Sequence, residues 1–225
     1  MTKVVEYRIA LKMRKKGLSY NDIKSKLRLS KSTLSRWLQN IPLSPEAINK
    51  LNLNKQIKIE RYRNTMNEKR EKKLKVYYND AKKYILPLSS KELYLAGLLL
   101  YWGEGSKTVR HTVSINNTDP AVLQFALSWL TQSLKIRRNK IKVILHLYSD
   151  MNINKERNYW SKILHLPLSQ FLKPYIKHSL RSEIDQRSFG HGTCGLMVYD
   201  TKLKEKILMA LKVISDQSKN EEPFI

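Results

Sequence analysis

The hydrophobic positions of the first 43 residues follow a helical period. Val5, Ile9 and Met13 stand four residues apart, so residues 4–16 are predicted to form an amphipathic helix with these side chains on its apolar face. Two shorter segments with the same kind of spacing follow before residue 43. The pattern therefore predicts three consecutive helices at the start of the chain.

Capping residues indicate where the second and third helices begin. Ser19 stands before YNDIKSKL, and Asp22 three residues later gives a pattern close to a capping box. Ser30 stands before KSTLSRWLQN after a tight turn. Two helices of about eight residues, joined by a tight turn and preceded by a longer helix, are typical of a helix-turn-helix.

The stretch GLSYNDIKSKLRLSKSTLSRWL resembles the helix-turn-helix of resolvases, transposases and many bacterial regulators. In such motifs the last helix lies in the major groove of DNA. The resemblance implies that the outward residues of this helix bind DNA: Lys31, Ser32, Thr33, Ser35 and Arg36. Arg36 can make a bidentate contact to guanine. The alternative is a three-helix protein-contact domain with a solvated basic face.

Residues 44–86 contain few turn signals, and we expect them to form a basic helical linker. Ser44 and Pro45 suit the start of a helix, and residues 55–83 are predicted to form one or two exposed helices. This segment is either a solvated spacer or a helix that lies along phosphates.

After Pro87 the pattern predicts a mixture of elements in the order helix, strand, helix, strand, helix, strand, strand, helix. The apolar run Leu93–Trp102 predicts a buried helix, and Ile141 to Leu147 alternate as in a strand. Mixed elements of this kind indicate an α+β domain over residues 87–217, followed by a tail at 218–225. The predicted fold class is therefore α+β, with an all-α segment in front.

The segment LYLAGLLLYWGEGSK resembles the LAGLIDADG homing-endonuclease family. The resemblance implies that Glu104, at the end of the helix, is the catalytic acid and the ligand of Mg²⁺. It also implies a homodimer, because the helix of that family packs against a symmetry mate and the second half of this domain has no matching acid. The small residues that such packing needs would come from the stripe Ala96, Leu100 and Gly103, although Leu100 is bulky.

The charge of the chain points to a polyanionic partner. The 225 residues include 43 Lys and Arg against 19 Asp and Glu, a formal net charge of +24. Two-thirds of this excess lies in the first 83 residues. Such an excess favours binding to nucleic acid, and with the helix-turn-helix it favours double-stranded DNA.

Several classes of protein are excluded by what the sequence contains. Cys194 is the one cysteine, so neither a disulfide framework nor a thiolate zinc site is expected. The longest uncharged apolar run has ten residues, well short of the roughly 20 that a membrane span needs. No signal peptide is evident, and we expect a cytoplasmic, nucleoid-associated protein without a membrane partner.

These observations leave three functions open. The first is a transcriptional regulator whose LAGLIDADG-like domain is degenerate. The second is an active, Mg²⁺-dependent homing endonuclease that works as a homodimer. The third is a non-enzymatic architectural protein that coats nucleic acid through its basic helices.

Overall fold

The computed structural model describes residues 4–51, 54–178 and 190–219. Helices and a four-stranded mixed sheet are both present, which confirms the α+β class at this level. The chain divides into two compact units, Met1–Leu86 and Pro87–Ile225. The segment expected to be a linker thus belongs to the first unit.

The described part of the first unit is helical throughout. Its elements are α1 (Val4–Lys15), α2 (Tyr20–Leu27), α3 (Lys31–Leu38), α4 (Pro45–Asn49) and α5 (Asn54–Ile85). The predicted caps are confirmed, because Ser19 with Asp22 forms a capping box and the Ser30 hydroxyl accepts from the Thr33 amide. Of the two alternatives for residues 55–83, the structure has the single helix, about 48 Å long at 1.5 Å per residue.

Helices α1, α2 and α3 pack around a small apolar core. Its buried members are Ala10, Tyr20, Ile23, Leu29, Leu34 and Leu38. Arg28 adopts the left-handed conformation between α2 and α3, with φ of 51°. This turn lets both helices direct their apolar sides into the same core.

The predicted apolar face of α1 is wrong at two of its three positions. Val5 is 65% exposed and Ile9 is also exposed, whereas Ala10 and Arg14 are buried. Met13 is half-buried and packs against the core, so the prediction fails at Val5 and Ile9 and holds at Met13. Arg14 can be buried on this side of α1 because its guanidinium has hydrogen-bond and charge partners inside the unit.

Arg14 and Glu60 form a buried ion pair that joins α1 to α5. Their side chains are 1% and 2% exposed, and a guanidinium nitrogen of Arg14 lies 2.7 Å from Glu60 Oε2. Arg14 also donates to the carbonyls of Ile41 and Leu18, and Arg63 donates to the other oxygen of Glu60. Every group of the pair is thus hydrogen-bonded, as a charge removed from water requires.

We expect Glu60→Ala to destabilise the first unit by about 3–5 kcal/mol, because it leaves the Arg14 guanidinium buried without its counter-charge. Urea denaturation of the full chain would measure the loss. Glu68→Ala is the matched control, since Glu68 is exposed on the same helix. Equal stability of the two variants would contradict the structural role of the pair.

The second unit contains four α-helices and four strands in its described residues. They are α6 (Ser90–Glu104), β1 (Thr112–Asn117), α7 (Pro120–Ser128), β2 (Lys142–Tyr148), α8 (Ile153–Leu164), β3 (Tyr175–Lys177), β4 (Thr193–Tyr199) and α9 (Thr201–Lys219). The strand order is β1-β4-β2-β3; β4 is antiparallel to β1 and β2, and β3 is parallel to β2. The predicted tail starts inside α9, and residues 220–225 lie outside the described part of the chain.

One face of the sheet forms the core of this unit. Ile141, Val143, Leu145 and Leu147 are all buried, which confirms the alternation seen in the sequence. They pack with Val113, Ile115, Leu196 and Val198 of the neighbouring strands and with α7, α8 and α9. None of the described helices is long and apolar enough to cross a membrane.

Helix α6 is buried along one side, so the prediction of a buried helix is only half right. Gly97, Leu98 and Tyr101 face the core, whereas Leu99 is 53% exposed and Trp102 is also exposed. The close approach occurs at Gly97, where a Cβ atom would lie 2.0 Å from the Trp129 ring. At Gly103, which the sequence assigned to packing against a second copy of the chain, such a Cβ atom would have nothing within 4 Å among the described residues of this chain.

Substitution by alanine at Gly97 and at Gly103 of α6 should have different effects on the stability of the second unit. Gly97→Ala should destabilise the second unit by about 1–3 kcal/mol, because the methyl group collides with Trp129. Gly103→Ala should be neutral or stabilise the unit by up to about 1 kcal/mol, since alanine favours a helix over glycine. Thermal unfolding followed by circular dichroism would show the difference, and equal behaviour of the two variants would refute the packing.

Candidate nucleic-acid interface

Helix α3 holds all five residues that the sequence predicted to bind DNA. Lys31, Ser32, Ser35 and Arg36 are exposed, while Leu34 on the opposite side is fully buried. The helix therefore directs its polar face outward because its apolar face anchors it to α1 and α2.

Thr33 differs from the other four. It is half-buried, and its hydroxyl lies 2.8 Å from the Ser30 hydroxyl, which in turn lies 2.9 Å from that of Ser32. These hydroxyls build the helix cap, so Thr33 and Ser32 contribute first to the start of α3. Lys31, Ser35 and Arg36 make no hydrogen bond or ion pair with the described residues, and they are available to a ligand.

Helix α5 adds a second basic surface to the first unit. Every residue from 68 to 86 is exposed. Seven of them are basic: Lys69, Arg70, Lys72, Lys73, Lys75, Lys82 and Lys83. Near the start of α5, Gln56, Ile59 and Arg63 line a shallow pocket together with Lys31 of α3. Sequence reasoning gave the charge of this helix but not its position beside Lys31.

Glu104, the predicted catalytic and metal-binding acid, is the last residue of α6. It is exposed, and its carboxylate has no hydrogen-bond or ion-pair partner among the described residues. Lys107, which could have paired with it, donates instead to the Trp102 carbonyl at 2.5 Å. The carboxylate thus faces solvent beside the negative end of the helix dipole, a place that a cation would favour.

Three side chains hold the turn that follows Glu104. The Lys204 ammonium is fully buried and donates to the Tyr101 hydroxyl at 2.5 Å and to the Ser106 carbonyl. Tyr101 donates to the same carbonyl at 2.5 Å. Burial raises the pKa of Tyr101 to about 12, and burial together with the charge of Lys107 lowers the pKa of Lys204. Gly105 fits this turn because a Cβ atom there would collide with Tyr101.

Glu104 is the metal ligand that the LAGLIDADG resemblance implies, and the structure places no cluster of further ligands around it among the described residues. The described residues contain no group of three or more His, Cys, Asp or Glu side chains that could hold a metal ion. Mg²⁺ in nucleic-acid enzymes often takes one or two carboxylates and completes its shell with phosphates and water. Glu104 fits such a role only as one ligand, with the others coming from a second chain or from DNA.

One further cluster escaped the sequence analysis. His191 Nδ1 lies 2.6 Å from Glu156 Oε2, and its ring stacks on Tyr159 with centroids 3.5 Å apart. Trp160 donates to the His191 carbonyl at 2.9 Å. The two residues of this contact are 35 positions apart, so no local signal could reveal it. The cluster anchors the turn before β4 onto α8.

Comparison with known proteins does not assign the chain to a family. No protein-family model matches it, and neither a curated protein nor a solved structure does so. The two resemblances therefore remain expectations from the sequence, and the site has to be interpreted from its own geometry.

Proposed function

We propose that the chain is a sequence-specific double-stranded DNA-binding protein, and that it regulates transcription. In this proposal α2 and α3 form the helix-turn-helix, and the second unit is a degenerate LAGLIDADG-like domain. The observation that carries the proposal is the exposed polar face of α3, where Lys31, Ser35 and Arg36 have no partner among the described residues.

The geometry of α3 supports recognition of bases in addition to electrostatic attraction to the DNA phosphates. The helix is short and is anchored by the buried Leu34 and Leu38, so its outer side chains are presented on a rigid element. Arg36 carries a planar fork of donors that suits the O6 and N7 atoms of guanine. An architectural protein that coats DNA would need the basic surface of α5 but not this arrangement.

The charge of the first unit supports a duplex as the partner. Lysines that line α5 can neutralise phosphates and release counterions, which supplies affinity without sequence preference. Phosphate contacts would then position the protein, and the base contacts of α3 would select the site.

A second copy of the chain is the other partner that we propose. Leu95, Leu99 and Trp102 give α6 an exposed apolar side next to Glu104. Pairing of two such sides would bury these residues and bring two Glu104 carboxylates towards each other. Both the regulator and the nuclease would use such a homodimer.

Arg36→Ala tests the proposed function directly. We expect about 1–3 kcal/mol weaker binding to a site selected from a random duplex library, and relaxed preference at one base pair, because one bidentate contact is lost. Fluorescence anisotropy with the full chain would measure both. For the wild type, log K should fall against log[salt] with a slope of roughly −5 to −7, corresponding to about 6–8 phosphates.

Lys72→Ala on the exposed part of α5 is the control for sequence preference. It should weaken binding equally on all duplexes or leave it unchanged. A uniform loss in Arg36→Ala would reduce Arg36 to a phosphate contact, and absence of duplex binding at low salt would refute the proposal.

The exposed carboxylate of Glu104 supports one alternative, an active Mg²⁺-dependent endonuclease. There the metal would activate water for attack on a phosphodiester. We favour the regulator, because the sequence has one acid of this kind per chain and because Leu99 and Trp102 make the exposed side of α6 bulky rather than small.

Glu104→Gln separates the two functions. For the regulator we expect no plasmid cleavage by the wild type in millimolar Mg²⁺, and the same DNA affinity in the variant, because the charge serves no contact. A metal at Glu104 would raise the melting temperature of the wild type but not of Glu104→Gln. Glu205→Gln, an exposed acid on α9, is the matched control. Mg²⁺-dependent cleavage that is lost in Glu104→Gln alone would establish the nuclease.

A further inference from the structure

The sheet of the second unit has a second face, which lies outside the apolar core cluster. We call it the open face and define it by strand register. Its positions are Thr112, Ser114 and Asn116 of β1, Thr193, Gly195, Met197 and Tyr199 of β4, Lys142, Ile144, His146 and Tyr148 of β2, and Tyr175 and Lys177 of β3. Tyr175 and Tyr199 on this face are exposed, Thr112, Ser114, Gly195 and Tyr148 are buried, and the other positions are half-buried. Lysine occurs here twice and acidic residues do not occur, so the open face suits an anionic partner.

Two aromatic rings lie side by side on the open face. Tyr175 and His146 are register partners on β3 and β2, and their ring centroids are 5.6 Å apart. Tyr175 is 57% exposed and His146 is half-buried. Burial and the charge of Lys177 lower the pKa of His146, which leaves its ring uncharged near neutral pH. The pair offers uncharged ring faces to solvent.

A cation is held next to these rings. The Lys177 ammonium lies 5.0 Å from the centre of the Tyr148 ring, over its face. Tyr148 is buried and is the register partner of Lys177, so the lysine rests on a fixed support. Lys142 lies at the opposite end of β2 on the same face, which places positive charge at both ends of this strand.

We propose that the open face binds single-stranded nucleic acid, with bases stacked on Tyr175 and His146 and phosphates beside Lys142 and Lys177. Stacking on exposed aromatic rings needs bases whose faces are free, and in a duplex those faces are covered by neighbouring base pairs. The phosphates of a duplex could contact the lysines, but its bases could not stack on the two rings. The proposal concerns the second unit and does not depend on base recognition by α3.

The experiment measures binding of the full chain to a labelled single strand of about 12 nucleotides, within the site sizes of sheet-based binders, and to a hairpin duplex. Tyr175→Ala should weaken single-strand affinity roughly tenfold, which is at the lower end of the loss for one stacked base. Tyr175→Phe should bind as the wild type, because the ring is retained. Both variants should leave the duplex affinity unchanged.

Three further variants separate stacking from general attraction to the basic chain. Tyr84→Ala removes a tyrosine that is 93% exposed on α5, and it should leave single-strand affinity unchanged. Lys177→Gln should reduce the slope of log K against log[salt] by about 0.7, the value for one phosphate of a single strand. His146→Ala should weaken single-strand binding as Tyr175→Ala does.

Unchanged single-strand affinity in Tyr175→Ala would overturn the proposal, and so would an equal loss on single strand and duplex. The result is independent of the proposed duplex function. Loss of sequence preference in Arg36→Ala with no effect of Tyr175→Ala would keep the duplex function and reject this site. The reverse pattern would keep this site and reject base recognition by α3.

Discussion

The buried ion pair between Arg14 and Glu60 determines how the first unit is built. An arginine in the last turn of α1 can be buried because Glu60 neutralises its charge and backbone carbonyls accept other donors of its guanidinium. The same contact joins α5 to α1, since Glu60 lies in the first third of that helix. The basic surface of α5 is therefore joined to the helices that present the outer face of α3 by this pair, by Arg63 over the Tyr20 ring, and by Asn67, which donates to the Gln39 carbonyl.

In the second unit, the orientation of α6 depends on a steric constraint rather than on an ion pair. Gly97 lets the Trp129 ring approach the backbone of α6, and this approach fixes which side of an almost entirely apolar helix faces the core. The opposite side, with Leu99 and Trp102, is left in solvent beside Glu104. Lys204 and Tyr101 then hold the turn after Glu104 through the Ser106 carbonyl. The carboxylate is thus presented from a rigid helix end rather than from a loose loop.

The two proposed nucleic-acid surfaces differ in chemistry. The face of α3 offers hydrogen-bond donors and charge, which suit the edges of paired bases in a groove. The open face of the sheet offers ring faces and two lysines, which suit unpaired bases. A protein that carries both would be able to bind a duplex and a strand displaced from it, through different units.

Local pattern in the sequence was enough for the caps at Ser19 and Ser30, the order of helices and strands, and the buried alternation of β2. These features depend on residues a few positions apart, and their physics is short-ranged. The single helix over α5 was one of two options, because a charged segment without turn residues does not show where a break would fall. The placement of Lys31, Ser35 and Arg36 outside the core also followed from helical period.

Long-range contacts decided the rest. The sequence could not show that Arg14 is buried in α1 while Val5 is exposed. The burial of Arg14 depends on Glu60, which lies 46 residues away in the chain. The sequence also gave no sign that the Trp129 ring packs against the backbone of α6 at Gly97. The open face likewise depends on strand order, since β4 pairs between β1 and β2 and β3 joins β2 in parallel. Tyr175 and His146 are 29 residues apart in the chain, and only the register of two strands makes them neighbours. Hydrophobic periodicity depends on residues a few positions apart. Strand pairing and the burial of charged side chains depend on residues that only the tertiary structure brings together.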